Sequence, residues 1–530
     1  MKLICDSKYI ILPVNHQAKK KCLKFYENNT LIYDLQIELD FIDPDVEFYL
    51  NIERFKGKEI ELICEPDINL GIKKSDVKYP GEETYKEKYR PKFHFSSQKG
   101  WLNDPNGLFY YKGYYHMFYQ HNPVGSKWGN MHWGHAVSRD LVRWEEKEIA
   151  LYSDELGTMF SGSAIVDSKN ATGLKQNEND VILLYYTAAG GTDSELSKAQ
   201  PFTQCLAYSI DGGNTFEKYS PNPIITLIEP GNRDPKVIYY PDADIYVMVL
   251  YLAETRFALL TSENLLQWKH VQEINMQKDE ECPDFYPLPV DGDDKNIKWV
   301  FSAASGKYLL GTFDGRSFNH EQEVKSLHYG KDSYAAQTWS GIDEENKRRV
   351  RIAWNRFDIP SMAYNMAMNF PCDMKLRTFS DEIFLCTYPV YEIKNIYGDS
   401  FSAENISLSP CQKYTRSLTE KLYDINLNIA GTAEGKFAIS VFGLEILCDA
   451  EEKVLTCLDN KAPLEYFDGS MDLRLLIDVN NVEIFINKGK AFMSIGHFQD
   501  YNINELIIRS ADADLMLKEI SIAEIKNIWN

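Results

Sequence analysis

Four stretches of the chain repeat one phrase: Ser138-Arg139-Asp140-Leu141-Val142-Arg143-Trp144, Ser209-Ile210-Asp211-Gly212-Gly213-Asn214-Thr215-Phe216, Ser262-Glu263-Asn264-Leu265-Leu266-Gln267-Trp268 and Phe313-Asp314-Gly315-Arg316-Ser317-Phe318. Each follows a strand-like run, turns on an acid, Asn or Gly, and lands on an aromatic ring. Asp and Asn favour such turns because their side chains bond the backbone just ahead. The copies stand roughly 50 to 70 residues apart, the spacing of one four-stranded blade plus a loop. An all-β chain with a β-propeller follows, with four turns visible and room for a fifth blade. An ordinary β-sandwich with generic turns is the competing reading.

The regions on either side differ in pattern. Residues 1–80 carry short β-like runs such as Tyr9-Ile10-Ile11-Leu12 and Glu59-Ile60-Glu61-Leu62-Ile63, with Asn28-Asn29 as a turn. They read as an N-terminal β-rich accessory module. Lys73 to Arg90, rich in Lys and Glu, reads as a linker. The propeller occupies residues 89–385. Residues 396–530 hold paired strands, Leu473 to Asp478 and Val482 to Asn487, with a turn over Asn487-Lys488-Gly489-Lys490, and read as a C-terminal β-sandwich.

Composition excludes several classes of function. The chain has 530 residues, 44% hydrophobic and 25% charged, enough for more than one folded domain and unlike a disordered chain. A formal charge of −21 argues against nucleic acid or an anionic membrane as partner. Aromatics at 13% suit both a β-rich core and a protein that stacks sugar rings. No apolar run is long enough to span a membrane, and Asp6 and Lys8 interrupt any signal core. The 10 cysteines are scattered without a CxxC pair, which points to reduced thiols and a cytoplasmic location. The glycosylation-type triplets at Asn28, Asn170 and Asn405 are then without meaning.

Three acids carry the chemistry. Asp104 lies in Trp101-Leu102-Asn103-Asp104-Pro105-Asn106-Gly107, Asp234 in Gly231-Asn232-Arg233-Asp234-Pro235-Lys236, and Glu281 in Glu280-Glu281-Cys282-Pro283-Asp284-Phe285. Taken singly, each is as well explained as a turn or a solvated loop. Against that, Trp101 and the run Tyr114 to Pro123 would set the first turn beside an aromatic wall. Carboxyls against apolar side chains also acquire the raised pKa that a general acid needs. Other sites are unsupported. His132 and His135 would point to opposite faces of a strand, no Gly-Lys-Ser/Thr follows a Gly pair, and no G-x-S-x-G elbow occurs. No metal or cofactor is expected.

Together the three motifs resemble glycoside hydrolase family 32, the β-fructosidases. Phe118 to Pro123, Trp128 to Ala136, Phe160 to Ala164 and Leu473 to Phe492 look like further segments of that family, in its order. The resemblance implies a five-bladed propeller followed by a β-sandwich, and a retaining hydrolase with Asp104 as nucleophile, Glu281 as acid/base and Asp234 as transition-state stabiliser. Arg233 beside Asp234 would favour the ionised form of that acid. Asn103, Gln120, Trp128, Phe160 and Ser161 match pocket-lining positions, and Tyr334, Gln337 and Trp339 are further candidates to reach the ligand. Leu102 stands where Met or Ile is commoner, and Trp354-Asn355-Arg356 stands where a more apolar run is commoner, so a different leaving-group side is expected. Residues 1–80 lie outside the common plan.

The expected function is an exo-acting β-fructosidase that removes terminal fructose from sucrose or short fructo-oligosaccharides. Fructosyl transfer, a cyclic difructose anhydride and sucrose 6-phosphate are alternatives on the same scaffold. A non-catalytic fructan-binding protein is the alternative from another class. The partner is a small carbohydrate, with no nucleic acid and no membrane; self-association into a homo-oligomer is left open.

Overall fold

The recurring phrase is one joint used four times. In the computed structural model, which describes residues 1–81, 84–342, 348–431 and 435–529, it links the third strand of a four-stranded blade to the fourth. The joints run from His132–Ser138 to Trp144–Glu146, Phe202–Ser209 to Glu217–Lys218, Arg256–Ser262 to Lys269–Asn275, and Lys307–Phe313 to Phe318–His320. The chemistry is local. Asp140 Oδ1 accepts from the backbone N–H groups of Val142 and Arg143, Asn264 Oδ1 from Leu266 and Gln267, and Asp314 Oδ1 from Arg316 and Ser317. A fifth blade, strands Tyr334–Thr338, Arg349–Asn355, Cys372–Phe379 and Glu382–Pro389, turns instead on Ser380 and Asp381, both at positive φ.

The innermost strands of the five blades are Gly100–Tyr111, Thr158–Asp167, Arg233–Tyr240, Asp284–Val290 and Tyr334–Thr338. Each touches the next around a ring, and the fifth touches the first. The ring is closed by Tyr110 N–H donating to Ser340 O, and by a parallel bridge of Tyr364–Asn365 onto Gly100–Trp101.

The propeller's core lies between blades rather than within them, because a strand sends alternate side chains to opposite faces. Along Ile245–Ala253, Val247 and Val249 pack toward Phe285 and Phe301 of the fourth blade. Met248 and Leu250 pack toward Leu183 and Leu206 of the second. That strand is buried on both sides, which is why it reads as a continuous apolar run.

The C-terminal unit is a sandwich of two six-stranded sheets around a core that includes Ile425, Ile439, Leu475 and Ile484. The hairpin over Asn487–Gly489 forms as expected, with all three residues at positive φ. The five-bladed propeller and following sandwich anticipated from the sequence are both present. Residues 2–75 form a four-stranded and a three-stranded sheet with their own core, and Asn28-Asn29 makes a hairpin turn at φ 50° and 66°.

The segment read as a linker is packed down. Lys73–Ser75 is a strand paired with Tyr9–Ile11, Tyr85 stacks on Trp529 with centroids 4.1 Å apart, and Arg90 is wholly buried. The correction has a physical reason: Tyr79, Tyr85 and Tyr89 supply apolar surface that the charged residues around them obscure in the sequence.

Candidate active site

Propeller topology puts the N-terminal ends of five inner strands around one mouth. Arg233 and Asp234 open theirs, Tyr334 is the first residue of its own, Asp104 and Ser161 lie in the first halves of theirs, and Glu281 stands three residues before the fourth. Residues far apart in sequence thereby converge.

Asp104 accepts a hydrogen bond from Ser161 Oγ at 2.7 Å on Oδ2 and one from Asn103 Nδ2 at 3.2 Å on Oδ1. Asn103 is itself held by Trp101, whose indole N–H donates to its Oδ1 at 2.8 Å. Burial and the Glu281 carboxylate push the Asp104 carboxyl upward, while the Ser161 and Asn103 bonds oppose the shift by stabilising the charged form. Ser161 reaches Asp104 because it is the extra residue of a β-bulge between Phe160 and Gly162, which re-aims the side chain.

Asp234 is 5% exposed and has φ 64°. Its backbone N–H donates to Thr187 Oγ1 at 3.0 Å, and its Oδ2 accepts from Cys282 N–H at 3.0 Å. Burial dominates its titration. Arg233 pulls the pKa down, Glu281 and Asp104 push it up, and the result is about 7. Arg233 therefore acts in the direction anticipated from the sequence but is outweighed by desolvation. Its hydrogen bonds go elsewhere: Nε and Nη2 donate to Glu281 Oε2 at 3.0 and 2.6 Å, against 3.8 Å to Asp234.

Glu281 is gripped from both sides, since its other oxygen, Oε1, accepts from the Tyr334 hydroxyl at 2.6 Å. Arg233 in turn lies over the Tyr251 ring, 4.5 Å from its centroid. Cys282 sits between the other two acids, with its Sγ 3.6 Å from Asp104 Oδ2 and 3.4 Å from Asp234 Oδ2. Burial and the three carboxyls raise its pKa well above the ordinary range, so the thiol stays neutral and donates. Glu281 and Cys282 both have φ 44°, a region where neither residue type is at ease. Such strain is characteristically stored at functional sites.

The wall is aromatic and amide. Gln120 is 2% exposed and donates from Nε2 to Met159 O at 2.8 Å; the next residue, Phe160, makes an edge contact with Trp128. Trp128 is 46% exposed. Beyond Tyr334 a polar groove of about 470 Å³ opens, lined by Glu280, Glu254, Lys278, Ser305 and Arg356. Arg356 lies 4.8 Å from the Tyr334 ring centroid. A larger cleft, about 560 Å³, lies between the fifth blade and the sandwich, lined by Tyr388, Tyr391 and Arg474 and by none of the three acids.

The structure thus brings together Asn103, Asp104, Ser161, Arg233, Asp234, Glu281 and Tyr334, with Gln120, Trp128 and Phe160 as neighbouring wall. It does not bring Trp339. That ring is 1% exposed, donates its indole N–H to His116 O, and stacks on Trp144 between the fifth and first blades. Gln337 is also a structural tie, donating to Gly162 O. Alternation explains the error: both lie past the bulge of Tyr334–Thr338, beyond the mouth. Sequence reasoning missed Thr187 and gave Cys282 no role of its own. Thr187 carries no local signal, because it sits in a uniformly apolar strand, Val181–Ala189. His132 and His135 part as expected, one toward Tyr33 and the other toward His116, and no group of metal-ligating residues occurs among the described residues.

Carboxyls paired across an aromatic and amide cup, on a propeller backed by a sandwich, define a glycoside hydrolase. The chain belongs to glycosyl hydrolase family 32. The family's N-terminal domain model matches residues 94–389 and its C-terminal model residues 448–524. Over 495 residues the chain is 34% identical to a levanase of Bacillus subtilis (strain 168), spanning 84% of this chain and 72% of that one. The crystal structure of an exo-inulinase from Aspergillus awamori aligns with TM-score 0.75 and 27% identity over 84% of this chain and 100% of its own. A β-fructofuranosidase from Schwanniomyces occidentalis, complexed with fructosyl-erythritol, aligns with TM-score 0.74 and 26% identity over 84% of this chain and 99% of its own.

Proposed function

We propose that the enzyme is a retaining, exo-acting β-fructosidase of sucrose and short fructo-oligosaccharides, with Asp104 as nucleophile and Glu281 as acid/base. The observation that carries this is the convergence of the acids at one mouth. Asp104 is fixed by Ser161 and Asn103 within reach of the Glu281 charge, and Glu281 is fixed by Arg233 and by Tyr334, which lines a polar groove where a leaving sugar fits.

An Asp104 oxygen attacks C2 of the fructosyl ring, the bond from C2 to the leaving oxygen breaks, and Glu281 gives that oxygen its proton. Water then attacks C2 of the fructosyl-Asp104 ester, Glu281 takes the water's proton, and fructose leaves with Asp104 restored. Asp234, with Oδ2 fixed by Cys282, holds sugar hydroxyls as positive charge develops on the ring. The leaving sugar rests in the groove by Arg356 and Tyr334. Exo action is supported by the likeness to an exo-inulinase. A cytoplasmic location is supported by ten cysteines that form no disulfide.

The test is product chromatography on sucrose, 1-kestose, levanbiose, inulin and levan, with NMR of the first anomer released. Fructose released one unit at a time as the β-anomer is expected, lost in Asp104→Ala and slowed about 10²- to 10⁴-fold in Glu281→Gln. Inverted product, or an Asp104→Ala enzyme that keeps its activity, would refute the assignment.

A further inference from the structure

Trp128, the most exposed residue of the pocket wall, stands on a loop held by the N-terminal module. Just before it, Lys127 Nζ donates to His16 O at 3.2 Å. Two residues after it, Asn130 is clamped to the module by its side chain: Gln36 N–H donates to Asn130 Oδ1, and Asn130 Nδ2 donates to Gln36 O, both at 2.8 Å. Gly129 between them, at φ 145°, packs close to the tie: a Cβ there would stand 3.1 Å from Asp193 Oδ2 and in ordinary contact, 3.6 Å, with Lys20 Nζ of the module. Val124 at the start of the loop is buried in the module's own core.

The second loop at this rim is tied to the module too. Asp193 Oδ2 accepts from Asn130 N–H at 2.8 Å, and the residues after it close on Asp34. Asp34, 4% exposed, accepts from Ser194 Oγ at 2.6 Å, Glu195 N–H at 2.8 Å and Leu196 N–H at 3.2 Å. Tyr33 beside it bonds His132 Nε2 at 2.7 Å. A module that merely braced the propeller would need none of these contacts to fall on the loop that bears an exposed tryptophan.

We propose that the N-terminal module is part of the substrate-binding apparatus, with Asp34 and Gln36 as the points where it fixes Trp128 at the pocket mouth before substrate arrives. Asp34 is a positioning residue that acts through the loops 190–197 and 123–131. Prior ordering of the loop and its ring spares the entropy that binding would otherwise consume, so the effect falls on KM and leaves kcat alone. The inference rests on the proposed fructosidase reading and on Trp128 lining its sugar pocket, as the family resemblance implies.

A double-mutant cycle tests it: steady-state kinetics of the full chain on sucrose and 1-kestose for Asp34→Ala, Trp128→Ala and the pair. Asp34→Ala is expected to raise KM about three- to tenfold with kcat nearly unchanged, and to add almost nothing in the Trp128→Ala background. Equal effects of Asp34→Ala in both backgrounds would overturn the proposal. So would an unchanged KM in Asp34→Ala when Trp128→Ala raises it. If Trp128→Ala itself leaves KM untouched, the assignment of Trp128 to the sugar pocket fails instead. Ser194→Ala, which removes only the hydroxyl bond to Asp34, repeats the test should Asp34→Ala fold poorly. Lys58→Ala, on an exposed module ion pair with Glu27, is expected to leave KM unchanged; a rise there would reduce the effect to general loosening and sink the proposal.

Discussion

Asp234 makes the pocket's stability depend on pH in a direction opposite to most carboxylates. Its carboxyl titrates near 7 in the folded chain, above the ordinary 3.8, because burial outweighs Arg233. Between those values the folded state keeps a proton that the unfolded chain has released, so stability falls as pH rises and levels off above about 7. Asp234→Asn removes the titration. Its melting temperature should gain on the wild type from pH 4 to pH 7 and hold that lead to pH 8, by a margin worth roughly a few kcal/mol at most. A constant offset across the range would show that Asp234 is already ionised in acid. At this scale the three acids were legible because each stands in a short word of unusual residues. Their partners were not. Arg233 adjoins Asp234 in sequence yet donates to Glu281, and Trp339 lies in a motif-like segment yet is core. Neighbours in sequence say little about which way a side chain turns where the backbone visits positive φ.

The element that aims the Ser161 hydrogen bond at Asp104 is the bulge in Thr158–Asp167. Gly162 closes it with no space to spare, since a Cβ there would stand 1.9 Å from Tyr185 O. Gly162→Ala must push the inner strand of the second blade away from its neighbour. We expect a loss of about 1–3 kcal/mol in denaturant melts. The loss of Ser161's bond to Asp104 should bring a further fall in kcat of roughly ten- to a hundredfold. Ser161→Ala should reproduce the kcat loss with little change in stability, which separates the two effects. A Gly162→Ala enzyme of normal activity would mean that the bulge does not set Ser161. Elements of this kind are half readable. The third-to-fourth-strand joints announce themselves because an Asp or Asn caps its own turn within three residues. The fifth blade turns on Ser380 and Asp381 with no such phrase, and a bulge leaves no mark beyond a serine and a glycine in a buried strand.

Across the whole molecule, propeller and sandwich are joined by a buried charge cluster. Asp478, at the tip of the sandwich hairpin, accepts from the backbone N–H groups of Lys92, Phe93 and His94 and from His94 Nδ1 at 2.9 Å. Glu483 stands 3.5 Å from the other ring nitrogen, and all three side chains are at most 1% exposed. Nothing in the sequence pairs residue 94 with residue 478; only the folded path of the chain does, as it does for Asp34 and the loop after Asp193. Burial alone would lower the His94 pKa, but the hydrogen bond to Asp478 and the nearby Glu483 carboxylate prevail and raise it to about 9. The folded protein therefore holds a proton that the unfolded chain sheds near 6.5. The stabilisation is complete below pH 6.5 and is lost as pH climbs through about 9. Its size is bounded by the shift, roughly 3 kcal/mol. His94→Gln keeps a donor but cannot titrate, and it leaves Asp478 its backbone partners. The variant should melt below the wild type at pH 6. The gap should close between pH 7 and pH 10 as the wild type alone declines, followed by calorimetry at each pH. A gap that stays constant would mean that His94 is neutral in the fold and that shape, not charge, holds the two domains together.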